Sequence, residues 1–239
     1  MSTGPAGPYG VDDRVSGEPP IPAATVIPLR DGLQGLEVLM LRRSSRGTFG
    51  GMWVFPGGQV DPGDWPEVHD PEDEMPAARA AAVREAREEA ALDIDPSTLV
   101  TLSFWLPPAG AVRRYATWFF LAPFRGLDQI VVDQVEIEEH QWLAPGDAIR
   151  LRQERRIELA PPTFTTLSWL ATQPDTETAL RSAASATPDR FESRIVVAAG
   201  VTICLWAGDA GYEDGDPDRI GPRRRLHLDP DGWRLEFAP

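Results

Sequence analysis

Cysteine is nearly absent: Cys204 is the single one in 239 residues, which excludes an intrachain disulfide and any thiolate metal cluster. It sits in an apolar run and is expected in the core. Long hydrophobic runs are missing too. The longest, Ile195 to Ala207, is interrupted by Gly200 and Thr202 and falls short of the roughly 18 residues a spanning helix needs. The start, Met1-Ser-Thr-Gly-Pro, has neither a basic n-region nor an apolar h-region, so a cytoplasmic location is expected. Positive charge is scarce, with 23 Lys plus Arg against 37 Asp plus Glu and a net charge of −14. Such a chain is repelled by duplex nucleic acid and by anionic membranes, so neither is expected as a partner. A small anionic ligand bridged by metal is compatible with it.

Hydrophobic content of 42% and charged content of 25% are those of an ordinary globular protein. Residues 1–21, rich in Gly, Pro, Ser and Asp, read as a flexible arm. Ala24 to Pro28 and Leu36 to Leu41 read as strands joined by a turn at Asp31-Gly32, and Trp53-Val-Phe55 as a third. A helix is predicted from Pro76 to about Leu92, its alanines suited to close packing on a sheet and its acidic and arginine face left uncovered. Val100 to Leu106, Tyr115 to Leu121 and Ile130 to Ile137 look like strands, and Asp147 to Arg155 like a short helix. Beyond Pro161, helices are expected at Thr163 to Thr172 and Thr176 to Ala186, then one buried strand from Arg194 to Trp206. A final hairpin is expected around Asp229-Pro-Asp-Gly232.

The chemistry concentrates between Gly57 and Leu92. Within the predicted helix, Glu85, Glu88 and Glu89 stand at i, i+3 and i+4, which puts three carboxylates on one face, about 5 to 6 Å apart at Cβ. At an effective dielectric of about 20 each pair repels by roughly 3 kcal/mol. Hard, oxygen-seeking ions such as Mg²⁺ or Mn²⁺ convert that repulsion into attraction. Taken alone, Arg84-Glu85-Ala86-Arg87-Glu88-Glu89 reads first as a solvated surface helix laced with i,i+4 ion pairs such as Arg84 to Glu88. The glycine pair and the acid upstream of it favour a metal and diphosphate site.

Gly58-x5-Asp64, an insertion, and Arg84-Glu85-Ala86-x-Glu88-Glu89-x-Ala91-Leu92 together resemble the box of the Nudix hydrolases, G-x5-E-x7-R-E-U-x-E-E-x-G-U. Three departures stand out. Asp64 replaces the box's first Glu, 19 residues instead of seven separate positions 64 and 84, and Ala91 replaces a glycine. At that last position a left-handed backbone costs about 1 to 2 kcal/mol, or else the helix continues another turn. Leu41-Arg-Arg43, Trp53-Val-Phe-Pro-Gly-Gly58 and Glu136 to Asp147 resemble the flanking strands and loops of the family. The expanded box with Leu159-Ala-Pro-Pro-Thr163 is similar to the subgroup that includes the peroxisomal coenzyme A diphosphatase.

The resemblance implies an α/β fold, a Nudix-type α/β/α sandwich with a mixed β-sheet, over residues 22–172, with the box at 57–92 and its insertion at about 65–76. An α+β extension over 173–239 is expected to pack on that domain. The implied reaction is Mg²⁺- or Mn²⁺-dependent hydrolysis of a small-molecule nucleotide diphosphate. Coenzyme A or acyl-CoA is the first expectation; ADP-ribose, NADH or dinucleoside polyphosphates are alternatives, as is a non-catalytic nucleotide sensor. The implied metal ligands are the Gly57 carbonyl and the carboxylates of Glu85, Glu88 and Glu89, with Arg84 orienting the acids. A further acid from Glu136, Glu138 or Glu139 is expected to assist catalysis, Glu138 being preferred. Arg42, Arg43, Arg46 and Gly58 are candidate substrate contacts, with Arg113 and Arg114 as further phosphate candidates. Trp65, in the insertion, is a candidate for stacking on a base, and a homodimer is an assembly the resemblance allows.

Overall fold

The computed structural model describes residues 19–45, 50–70, 72–111, 113–126 and 130–238. Two compact units emerge, one from Pro22–Ser103 and Thr117–Asp189, the other from residues 19–21, Phe104–Ala116 and residues 190–238. Most of the proposed arm, and Arg46, lie outside the described residues.

The chain forms β1 (Ile21–Gly32), β2 (Gly35–Arg43), β3 (Trp53–Val54), β4 (Gly57–Gln59), α1 (Met75–Ala90), β5 (Val100–Leu106), β6 (Tyr115–Pro123), β7 (Ile137–Leu143), α2 (Pro145–Gln153), α3 (Pro161–Leu170) and α4 (Thr176–Ser185). The strands of the larger unit form a mixed sheet in the order β5-β6-β1-β2-β3, with β4 pairing to β1 and β7 to β2. Ala24, Val26, Leu39 and Leu41 pack with Ala78, Ala81, Ala82, Ala86 and Ala90 of α1 and with Phe120. The alternating set Ile27, Leu29, Val38 and Met40 is just as inaccessible, at 0% exposure, so β1 and β2 are buried on both faces. α1 covers the first face. α2, which packs on β2 and on α3, lies outside that cluster. Small alanines let α1 approach the sheet closely, and Pro76 in its first turn needs no amide partner there.

Three details depart from the periodicity. The β1–β2 turn lies at Leu33-Gln34, two residues beyond Asp31-Gly32, because the ladder continues to the Gly32–Gly35 pair. The stretch expected as a strand from Ile130 to Ile137 is a loop up to Glu136. The Asp133 carboxylate captures the amides of Val135, Glu136 and Ile137 at 3.1, 3.1 and 2.8 Å, and Gln134 has φ 59°, so those N–H groups are withdrawn from any ladder until β7 begins. The segment read as one strand, Arg194 to Trp206, is a hairpin of β8 (Asp189–Ala198) and β9 (Val201–Trp206). Ala199 and Gly200 both take positive φ, the signature of a two-residue type I′ turn.

In the smaller unit β8 pairs with β9, β9 with β10 (Arg223–Asp229), and β10 with β11 (Gly232–Ala238), each antiparallel. Trp105 and Phe191 stack at 3.9 Å, and Trp206 meets both edge-on. Cys204 is a buried core residue, and desolvation pushes its thiol up to about 12. Arg225 holds Asp209 in a bidentate pair at 2.7 and 2.6 Å, both side chains inaccessible. No helix among the described residues is long and apolar enough to cross a membrane.

Candidate active site

β4 is short, yet it fixes the site. Gly57 and Gly58 pair with Thr25 and Ala24 of β1. A Cβ on Gly57 would lie 2.5 Å from the Ala24 carbonyl oxygen, and one on Gly58 would overlap the Glu85 carboxylate. The glycine pair therefore provides close approach, of backbone on one side and of an acid on the other. The Gly57 amide donates to Glu89 Oε2 at 3.0 Å, tying the end of α1 to this strand.

The helix carboxylates differ sharply in environment. Glu88 is exposed, Glu85 is half-buried and Glu89 is 4% exposed, so the acidic face is not uniformly open as the alanine pattern had suggested. Desolvation pushes the Glu89 carboxyl up to about 8; the Gly57 amide and Arg43 oppose that, while Glu85 and Glu136 reinforce it. Glu85 is also raised, first by burial, against the pull of Arg84 and with the help of Glu88 and Glu136. The helix ends immediately beyond these acids. Ala91 takes φ 52°, ψ 32°, the left-handed cap that the family's glycine would adopt freely, and Leu92 donates back to the Ala86 carbonyl at 3.1 Å.

Arg84 organises the cluster. Nε and Nη2 grip Asp64 at 3.1 and 2.9 Å, Nη2 also reaches the Gln59 carbonyl at 2.9 Å, and Nη1 spans Glu85 and Glu88 at 2.9 and 3.0 Å. Asp64, 9% exposed, accepts a further bond from the Asp61 amide at 2.8 Å. The shortened acid of the box is thus a buried anchor for Arg84. Its ring neighbour Trp65 is half-buried against His69, with centroids 4.8 Å apart.

Arg43 and Arg42 divide between them Glu136, just ahead of β7, and the β7 acids Glu138 and Glu139. Arg43 Nη2 binds Glu136 at 2.7 Å, and its Nη1 lies 3.4 Å from Glu89 Oε1. Arg42 pairs with Glu138 at 3.3 Å and Glu139 at 3.0 Å. The cause is a β-bulge: Arg42 opposes Glu139 and Arg43 opposes Ile137, leaving Glu138 as the extra residue. The acid brought to the helix carboxylates is therefore Glu136, and the preferred Glu138 is directed to Arg42 instead. Arg114 bonds the Pro107 carbonyl within the smaller unit.

Six carboxyl groups, Asp61, Asp64, Glu85, Glu88, Glu89 and Glu136, meet two guanidiniums here. An all-oxygen, negatively biased set of this kind suits Mg²⁺ or Mn²⁺. Among the described residues no three acids are already gathered around one point. Arg84 stands between Glu85 and Glu88, and Glu89 is turned to Gly57 and Arg43.

A sequence model of the NUDIX domain matches residues 19–165. The chain belongs to the Nudix family. Its fold is similar to a Nudix hydrolase from Alicyclobacillus acidocaldarius, with TM-score 0.61 and 22% identity over 71% of this chain and 99% of that one. Weaker likenesses include a C. elegans Ap4A hydrolase, with TM-score 0.45 and 22% identity over 68% and 98% of the two chains. The NUDIX domain of Shewanella oneidensis NrtR, solved with ADP ribose, has TM-score 0.46 and 17% identity over 66% and 89%. As a Nudix hydrolase the protein is a diphosphatase of nucleotide diphosphate compounds.

Proposed function

We propose that this Nudix hydrolase cleaves the diphosphate of coenzyme A or an acyl-CoA, with Mg²⁺ or Mn²⁺ held by Glu85, Glu88, Glu89 and the Gly57 carbonyl. The observation that carries the metal assignment is Glu89, an almost inaccessible carboxyl beside Glu85 and Glu136 whose charge is unfavourable without a cation. Support for the substrate is the expanded box together with Leu159-Ala-Pro-Pro-Thr163. There Leu159 is fully buried, Pro161 opens α3, and the neighbouring Glu158 carbonyl accepts from Trp53 at 2.9 Å, tying this segment to β3.

When bound, a divalent ion would neutralise the diphosphate and lower the pKa of a coordinated water for in-line attack on phosphorus. The chain's own part is positional. Arg84 fixes the spacing of Glu85 and Glu88 through a planar fork that lysine cannot reproduce. Gly58 leaves room for Glu85, and the Gly57 amide orients Glu89. Glu136 is the acid we assign to accept the proton of the attacking water, supported by its approach to Arg43 beside Glu89.

The test is a panel of diphosphates with Mg²⁺ or Mn²⁺ in ¹⁸O water. Coenzyme A should yield 3′,5′-ADP and 4′-phosphopantetheine, with turnover abolished in Glu88→Gln. Faster cleavage of ADP-ribose, NADH or a dinucleoside polyphosphate, without those products, retires the coenzyme A assignment. Nucleotide binding with no turnover of any compound points to a sensor.

A further inference from the structure

We infer that Arg43 is the internal counter-ion of the acid cluster, holding Glu89 and Glu136 in competition with a divalent cation and so setting the metal affinity of the site. The inference rests on the metal assignment proposed above. Its geometry is that of a contact ready to yield. Arg43 Nη1 lies 3.4 Å from Glu89 Oε1, beyond the 2.7 to 2.9 Å usual for a charge-assisted bond, and the buried Nε has no hydrogen-bond partner among the described residues. Only the 2.7 Å bond to the exposed Glu136 is tight.

Arg84 is different. Its three donor nitrogens all bond carboxylates or carbonyls at 2.9 to 3.1 Å, and one of its acids is the buried Asp64. Of the two guanidiniums, Arg43 therefore has less to lose by moving. Its backbone is pinned, the amide to the Met52 carbonyl at 3.0 Å and the carbonyl to the Gly51 amide at 3.1 Å, so the change is confined to the side chain. Metal and guanidinium seek the same Glu89 oxygens. While Arg43 holds them, the buried acid has a partial partner; once a metal takes them, Arg43 becomes a cation beside a cation and is expelled toward Glu136 or an incoming phosphate.

The experiment titrates Mn²⁺ without nucleotide into the full chain and into Arg43→Gln, following bound metal by electron paramagnetic resonance, with thermal melts of both metal-free proteins. Removing one positive charge a few ångströms from the ion should tighten Mn²⁺ binding about tenfold or more while lowering the metal-free melting temperature. Arg43→Lys, which keeps the charge and loses the fork, should bind close to wild type. Equal or weaker Mn²⁺ binding by Arg43→Gln overturns the inference. Absence of Mn²⁺ binding by wild type and variants alike overturns the underlying metal assignment instead. Should Arg43→Gln fail to fold, the wild-type Arg43 Nε–Hε resonance provides the same test. It should shift as Mg²⁺ is added, and an unmoved signal counts against the inference.

Discussion

Replacing Arg84 with methionine, which keeps most of the side-chain volume and removes the charge, tests whether this residue holds the site together or merely decorates a helix. The structure sets the magnitude. Without the guanidinium, Asp64 keeps a carboxylate whose side chain is 6% exposed and whose remaining partner shown here is the Asp61 amide. Stranding one member of a buried pair costs about 3 to 5 kcal/mol. The bond to Glu88 adds less, since Glu88 is 59% exposed and water takes over. A domain of ordinary stability, about 5 to 15 kcal/mol, survives that loss in weakened form. Urea denaturation of wild type, Arg84→Met, Asp64→Asn and the double variant gives the cycle. Asp64→Asn should be costly in wild type and should recover about 1 to 3 kcal/mol in the methionine background, because it removes the stranded charge. Strictly additive losses, or an Arg84→Met penalty below about 1 kcal/mol, would refute the account of Arg84 as partner of a buried acid.

Ala91→Gly relieves a left-handed alanine at φ 52° and should raise stability by up to about 1 kcal/mol in urea melts, after the added freedom of the unfolded chain is counted. Asp209→Ala leaves the buried Arg225 without its bidentate acceptor and should cost about 3 to 5 kcal/mol, read from the same melts. Glu89 makes the metal-free protein pH-dependent. Its carboxyl is raised from 4.5 to about 8 on folding, so the folded chain keeps a proton that the unfolded chain releases. That contribution is fully present below about pH 4.5 and is lost as pH climbs through about 8, so thermal melts in chelator should fall over that window. Glu89→Gln should flatten the slope.

What was legible in the sequence was whatever depends on local pattern. The alanine-rich helix, Pro76 at its start and the 85-88-89 spacing are properties of one segment, and α1 runs Met75–Ala90 accordingly. The final hairpin followed from its own turn residues. Misreadings arose where a side chain or a turn overrode hydrophobic alternation. One aspartate, Asp133, drew off the amides of a β-rich stretch, and Ala199-Gly200 folded an apolar run into two strands.

The site shows the same boundary at finer scale. Helical spacing places three carboxylates on one face, but it says nothing of what each meets, and that is decided by β4, β2 and β7, segments remote in sequence. A bulge of one residue turned Glu138 toward Arg42 and left Glu136 for Arg43. The tight backbone of Gly57 buried Glu89 while Glu88, one position earlier, stayed in solvent. Burial and pairing, not spacing, make these acids chemically unequal. Under the metal assignment proposed above, that inequality sets the order of gain: the desolvated Glu89, with its loosely held arginine, stands to gain more from a cation than the exposed Glu88, which water already solvates.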